Sequence, residues 1–332
     1  MLHRGHHENI TPRILTSSVT ELHTHMTLSA AFNAAAGRLG WALASSMTLG
    51  GMAWLGWSPI AIAASPDTAP DELLTLIDTI EAAANRQNVR AAMAFYDRNI
   101  EHSDGLSHSD IERALTQFWF NYPEANYETT LLNWEPTDTG FIAETETVIT
   151  GSQLVNRRRV ALTARVVSRQ TYENSQIVAQ TVISESTQLN SGANPPTLDI
   201  NLPNQVVQGE SFNFDAIVQE PLGDRVLLGS AIEEQVDADR YFDTTPLDLE
   251  VLIAGGLFKV GQVMDPGHDR WISAVIVRED GLTTVTQRVF VDDGVTEDAV
   301  SSFEPGWSLL PTDPSAGTRA NQSHSTPTTQ RQ

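Results

Sequence analysis

His102 and Asp104, separated by one serine, are a titratable pair able to do general acid–base work, since a carboxylate can take a proton and an imidazole can pass one on near neutral pH. Asp104-Gly105 is equally an ordinary turn dipeptide, which would leave both groups in a solvated bend. Glu144 and Glu146 alternate along one run and read either as a paired-carboxylate site or as the wet side of a sheet. Arg157, Arg158 and Arg159 form the one basic cluster. Alternation sends Arg158 to the opposite face from its neighbours, and in so acidic a chain the expected role is salt bridging between strands or domains rather than anion contact. Asp237, Asp239 and Asp243 suggest a cation loop, but position six from Asp237 is Phe242 where such a loop needs glycine, so they read as a solvated acidic loop. The stretch AGGLFKVGQV at 254–263 lacks the GKS or GKT ending of a phosphate loop and reads as a strand with a bulge or close backbone approach. No metal or cofactor site is expected.

Composition bounds the function classes. The 332 residues carry a net charge of -22 with a single lysine, Lys259, which argues against nucleic acid and against polybasic membrane attachment. The absence of cysteine removes disulfides, thiolate metal sites and thiol nucleophiles. Residues 1–25 hold five of the nine histidines and read as an unstructured extension or a mis-assigned start ahead of Met26, with a metal-binding tract around His3, His6 and His7 the sharper alternative. Residues 26–64 read as a signal peptide, because no charge occurs from Leu39 to Pro66 and Ala61-Ile62-Ala63 has the small-x-small pattern of a cleavage site. The expected location is periplasmic or extracellular; an uncleaved anchor is the alternative.

The elements that would position the candidate residues begin at Pro70. Leu73, Leu74, Ile77, Ile80 and Ala84 recur at helical spacing, and Pro70-Asp71-Glu72 suits a first turn. A shorter helix from Asn88 carries Val89, Ala92, Met93 and Tyr96 inward. Ser109-Asp110-Ile111-Glu112 reads as the capping box of a third, whose stripe is Ile111, Leu115, Phe118 and Tyr122. Four long period-two runs follow up to Leu189, long enough that the sheet should curve.

The order helix, short helix ending in AMAFYDRNIEHSDG, capped helix SHSDIERALTQFWFNYP and four strands resembles the NTF2-like superfamily, which includes ketosteroid isomerases and SnoaL-type cyclases. The resemblance implies an α+β cone over residues 68–190, three helices on a strongly curved antiparallel sheet, with a pocket between sheet and helices and a homodimer through the outer sheet face. Within that pocket it would place His102 and Asp104 beside Tyr96, Trp119 and Tyr122. A small apolar ligand would bind there, and enolising chemistry would need the carboxylate as base and a tyrosine-like donor at the enolate oxygen.

Residues 191–196 break both periods and read as a linker. Short runs over 197–293, with a hairpin turning at Glu279-Asp280-Gly281, look like an immunoglobulin- or fibronectin III-like sandwich centred on Trp271, through which a protein partner would bind. Residues 294–332 read as a disordered tail whose Phe303, Trp307, Leu309 and Leu310 would dock on the protein itself or on a partner. The function expected is an exported non-catalytic binding or assembly protein. Two alternatives are an isomerase or cyclase acting in the cone and a structural envelope component.

Overall fold

The structure is a computed structural model that describes residues 64–292, apart from 244 and 266, and the backbone of Leu310–Pro311. The expected extension, signal peptide and most of the tail lie outside these residues. No helix among the described residues is long and apolar enough to cross a membrane.

The first helix, α1 (Asp71–Asn85), opens after Pro70 with Asp71 and Glu72 in its first turn and buries Leu73, Ile77, Ala83 and Ala84. A single short turn, α2 (Val89–Met93), is capped by Asn88, whose side chain accepts from the Ala91 N–H at 3.0 Å. The third helix, α3 (His108–Asn121), is capped two residues earlier than the sequence suggested: Ser107 and Asp110 form the box, and Ile111, Ala114, Leu115, Phe118 and Trp119 face inward. Between α2 and α3 the chain is not helical, because β1 (Tyr96–His102) runs parallel to a later strand. Its burial pattern sinks only Tyr96, Ile100 and His102, too sparse an apolar signal to read as a strand.

Four long strands follow: β2 (Asn126–Pro136), β3 (Gly140–Val155), β4 (Arg158–Glu173) and β5 (Gln176–Gly192), antiparallel throughout. Asn156-Arg157 and Asn174-Ser175 have positive φ at both positions, as two-residue hairpin turns that match strand twist require. The open edge of β2 is covered by α1. Asn85 exchanges hydrogen bonds with the Tyr127 backbone at 2.7 and 2.9 Å, and Glu81 accepts from the Thr129 N–H at 2.6 Å.

The sheet does not stop at β5. Its last residues, Ser186 to Gly192, pair on one side with β4 and on the other with β13 (Gly281–Asp292), which pairs with β12 (Arg270–Arg278). Outward from β12 lie β9 (Leu228–Gln235) and β10 (Glu250–Val251), and β7 (Gln205–Val207) joins β13, giving one ten-stranded sheet. A second sheet of β6 (Leu198–Asn201), β8 (Ser211–Val218), β11 (Gly256–Gln262) and β14 (Leu310–Pro311) lies in the order β14-β11-β8-β6.

This corrects the expected fold class. The described residues are 53% strand and 18% helix, built around one large, mostly antiparallel sheet rather than an α+β cone followed by a separate all-β sandwich. The physical reason is the length of β5: at 17 residues it outruns the helical layer, and its far half is bonded along both edges. One core runs through both halves, from Leu73, Ile111 and Phe118 to Tyr241, Trp271, Val275 and Val277, while a second, with Phe214, Leu257, Ile272 and Ile276, lies between the two sheets. Residues 191–196 are welded to the β12–β13 turn. The N–H groups of Ala193 and Asn194 donate to Asp280 O at 2.9 and 3.1 Å, Arg278 donates to Asn194 O at 2.8 Å, and Thr283 donates to Pro196 O at 2.6 Å. Gly192, at φ +103, has no room for a side chain, since a Cβ there would sit 2.5 Å from Asp280 O.

Candidate functional site

The densest cluster of buried charge lies where the helical end of the sheet meets its far half. The end of β1 and the following turn supply His102 and Asp104, and β5 supplies Glu185. Trp271 and Arg288 stand directly opposite one another on β12 and β13. A 3-10 turn, Asp239–Phe242, brings Tyr241, and Asp269 precedes β12.

Arg288 is the hub. Its two terminal nitrogens grip both oxygens of Asp104 at 2.7 and 3.1 Å, and Nη2 and Nε reach Asp269 Oδ2 at 2.9 and 3.1 Å. The Asp104 carboxylate also accepts from the Tyr241 hydroxyl and, at 2.7 Å, from Ser103 Oγ. Glu185 accepts from Trp271 Nε1 at 3.0 Å and lies 3.9 Å from Arg288 Nη1. Tyr241 packs edge-on against the Trp271 ring at 4.9 Å. The Asp104 side chain is 0% exposed and that of Arg288 is 3% exposed, so this bidentate pair forms almost free of solvent.

Burial and partners set the protonation states. Burial alone would raise the Asp104 carboxyl, but the charge and hydrogen bonds of Arg288 outweigh it and hold the group down at about 2. Burial pushes Glu185 up to about 7 against the opposing pull of Arg288 and the Trp271 N–H. Burial pushes His102 down to about 4, with Asp104 opposing. Its Nδ1 accepts from the Asp104 N–H at 3.2 Å, which leaves Nε2 as the protonated nitrogen of a neutral ring, buried without a hydrogen-bond partner. Burial and the neighbouring charges of Asp104 and Glu185 keep Tyr241 a phenol. A carboxylate saturated in this way has no free lone pair for a substrate proton, and the imidazole Nε2 is shielded from solvent.

The five residues expected to line one pocket do not converge on one. Trp119 Nε1 donates to the Tyr127 hydroxyl at 2.9 Å, and the Tyr122 hydroxyl accepts from Gln153 at 2.8 Å while its ring stacks on Phe118. Tyr96 borders, with Ile77, Thr145 and Tyr172, a void of about 20 Å³ between α1 and the sheet. One water needs roughly 10–15 Å³, so no apolar ligand fits there. A larger hollow of about 510 Å³ is a depression on the outward face of α3, from Ser109 to Phe120.

Other candidates resolve individually. Glu146 pairs with Arg165, and Glu144 and Glu135 with Arg169, so the alternating glutamates are cross-strand ion pairs on a sheet face. Asp237 accepts from the Asp239 N–H at 2.9 Å and Asp243 lies 3.9 Å from Arg240, a local turn; no metal-binding group of acids and histidines occurs among the described residues. In the glycine-rich stretch Gly261 lies under the Phe212 ring, where a Cβ would meet ring atoms at 2.5 to 3.0 Å, so the close approach is confirmed. Among the described residues Arg157, Arg158 and Arg159 form none of the expected salt bridges; Arg159 donates to Ser152 Oγ at 2.9 Å.

Sequence reasoning missed Arg288, Glu185, Asp269 and Tyr241. A signal existed for one of them. Arg288 runs directly into Val289, Phe290 and Val291, and a charge buried in such a strand must be matched by another.

Residues 193–292 match a family model described as a domain of unknown function (DUF8623), and that span contains Tyr241, Asp269, Trp271 and Arg288 but neither Asp104 nor Glu185. The charged cluster therefore joins the matched region to the half of the chain that precedes it. No curated protein matches the chain. Among solved structures, Bd1075 of Bdellovibrio bacteriovorus is similar at 9% identity and a TM-score of 0.26. The match spans 33% of this chain and 38% of that one, a likeness too slight to bear on fold or function.

Proposed function

We propose that the protein is a non-catalytic binding or assembly protein acting outside the cytoplasm, in which the buried cluster locks two halves into one rigid body. The observation that carries this reading is the state of Asp104. The carboxylate that acid–base chemistry would need is ionised, out of solvent and gripped by Arg288, with Tyr241 and Ser103 as further donors. The 20 Å³ void beside Tyr96 further supports it, since an enolising enzyme must admit its substrate. Export rests on the charge-free stretch from Leu39 to Pro66 and the small-x-small pattern Ala61-Ile62-Ala63.

Limited proteolysis together with a proton-exchange assay tests the reading. The folded protein should resist cleavage at 191–196 as well as within either half, and should not exchange α-protons of small apolar ketones with deuterated water above background. Exchange that disappears in a folded Asp104→Asn variant would establish the isomerase alternative, and preferential cleavage at 191–196 would refute the rigid body.

A further inference from the structure

Seven of the described arginines, Arg165, Arg169, Arg225, Arg240, Arg270, Arg278 and Arg288, pair with carboxylates. Arg113 stacks on the Phe242 ring with its guanidinium 3.7 Å from the centroid, and Arg86, Arg90 and Arg98 stand exposed and apart from one another in the sequence. Arg157, Arg158 and Arg159, at the tip of the β3–β4 hairpin, are exposed and form no ion pair among the described residues. Directly across the hairpin from Arg159 stands Leu154, 76% exposed. The hairpin end is anchored, not trailing: Gln153 donates to the Tyr122 hydroxyl at 2.8 Å and Gly151 packs on Tyr122 and Ala125. The same Tyr122 accepts, through its carbonyl, from Gln87 at 3.0 Å, which brings exposed Arg86 to this end of the molecule, and Phe120, 85% exposed, lies two residues away in the chain.

We propose that this hairpin tip docks the protein on an anionic lipid surface, the guanidinium groups meeting headgroup phosphates while Leu154 enters the interface beneath them. Unpaired arginines beside protruding apolar side chains have that chemistry; a nucleic acid would gain nothing from the leucine. The net charge of -22 does not forbid it. The Arg165–Glu146 pair begins six residues further along β4, roughly 20 Å from Arg159 at the rise of a strand. Charges beyond about 8 Å are largely screened at physiological salt. Of the acids at this end, Glu124 is exposed in the neighbouring turn, while Glu279 and Asp280, two strands over, pair with Arg225 and Arg278.

The test is cosedimentation of the full chain with vesicles of neutral lipid, with and without a substantial fraction of phosphatidylglycerol, at low and high salt. Partitioning should require the anionic lipid and fall as salt rises. The variant Arg157→Asn/Arg158→Ser/Arg159→Ser should bind about a hundredfold more weakly, roughly fivefold per arginine. Leu154→Ser should lose about tenfold, with no change in salt dependence. Both variants alter exposed positions and should keep the wild-type circular dichroism spectrum, and the apolar segment before Ala64 is common to every chain compared. Equal partitioning onto neutral and anionic vesicles, wild-type binding by the triple variant, release by inorganic phosphate at matched ionic strength, or binding to polyglutamate in preference to vesicles would each overturn the proposal.

Discussion

Replacing Arg288 by methionine keeps most of the side-chain volume and removes the positive charge that holds Asp104 ionised. Asp104 is then a fully buried carboxylate whose remaining side-chain donors are Tyr241 and Ser103, and Asp269 loses the same partner. Breaking one side of a buried pair costs about 3–5 kcal/mol. The two surviving donors place Arg288→Met near the lower figure, about 3 kcal/mol at pH 7. With a urea slope of about 3 kcal/mol/M, that moves the unfolding midpoint down by roughly 1 M. The pH dependence identifies the cause. In the wild type the Asp104 carboxyl lies at about 2, so its stabilising contribution is present above the unfolded value near 3.8 and is lost as pH falls through about 2. Without Arg288, burial dominates and raises the carboxyl, so the variant's deficit should be largest at neutral pH and shrink as the acid becomes protonated toward pH 4. The double variant Asp104→Leu/Arg288→Met should recover most of the loss. Urea unfolding followed by tryptophan fluorescence between pH 4 and 8 measures all of this; a deficit below about 1 kcal/mol, or one independent of pH, would refute the reasoning.

Two further outcomes follow from the same geometry. Glu185 and Glu233 are both raised to about 7 by burial, so their contribution is full below the unfolded value near 4.5 and is lost as pH rises through 7, while His102, lowered to about 4, works in the opposite direction as pH falls. Stability should therefore decline most steeply from about pH 6.5 to pH 8, where His102 no longer offsets it, and Glu185→Gln, which keeps an acceptor for Trp271, should reduce that slope by about half in thermal melts. Gly192→Ala adds a Cβ 2.5 Å from Asp280 O at a φ of +103 and should cost about 1–3 kcal/mol, read as a lower urea midpoint with the slope unchanged.

Much of the local structure was legible because it is periodic. The stripes of α1 and α3 and the alternation of β2 to β5 follow from what each face must bury. What stayed hidden was non-local. Period two reports that Thr187 and Leu189 face a core, yet cannot say that β13 rather than solvent lies along the free edge of β5. Edge pairing is made by backbone groups that are alike at every residue. His102 and Asp104 were legible as neighbouring titratable groups, but their partner Arg288 lies 184 residues downstream of Asp104, and only the folded chain brings it within 2.7 Å. The triple arginine misled for the opposite reason: acidic residues are abundant in the sequence, but none among the described residues pairs with the tip to which the two-residue turn carries those side chains.

A strand bonded along both edges also fixes what can be cut away. Ending the chain at Gly192 would not release a free-standing unit; it would bare the N–H and C=O groups of Ser186 to Gly192 that now meet β13. Such a stretch recruits whatever strand is nearest, so an isolated first half would stack on its own copies, and a truncation boundary here is a recipe for inclusion bodies.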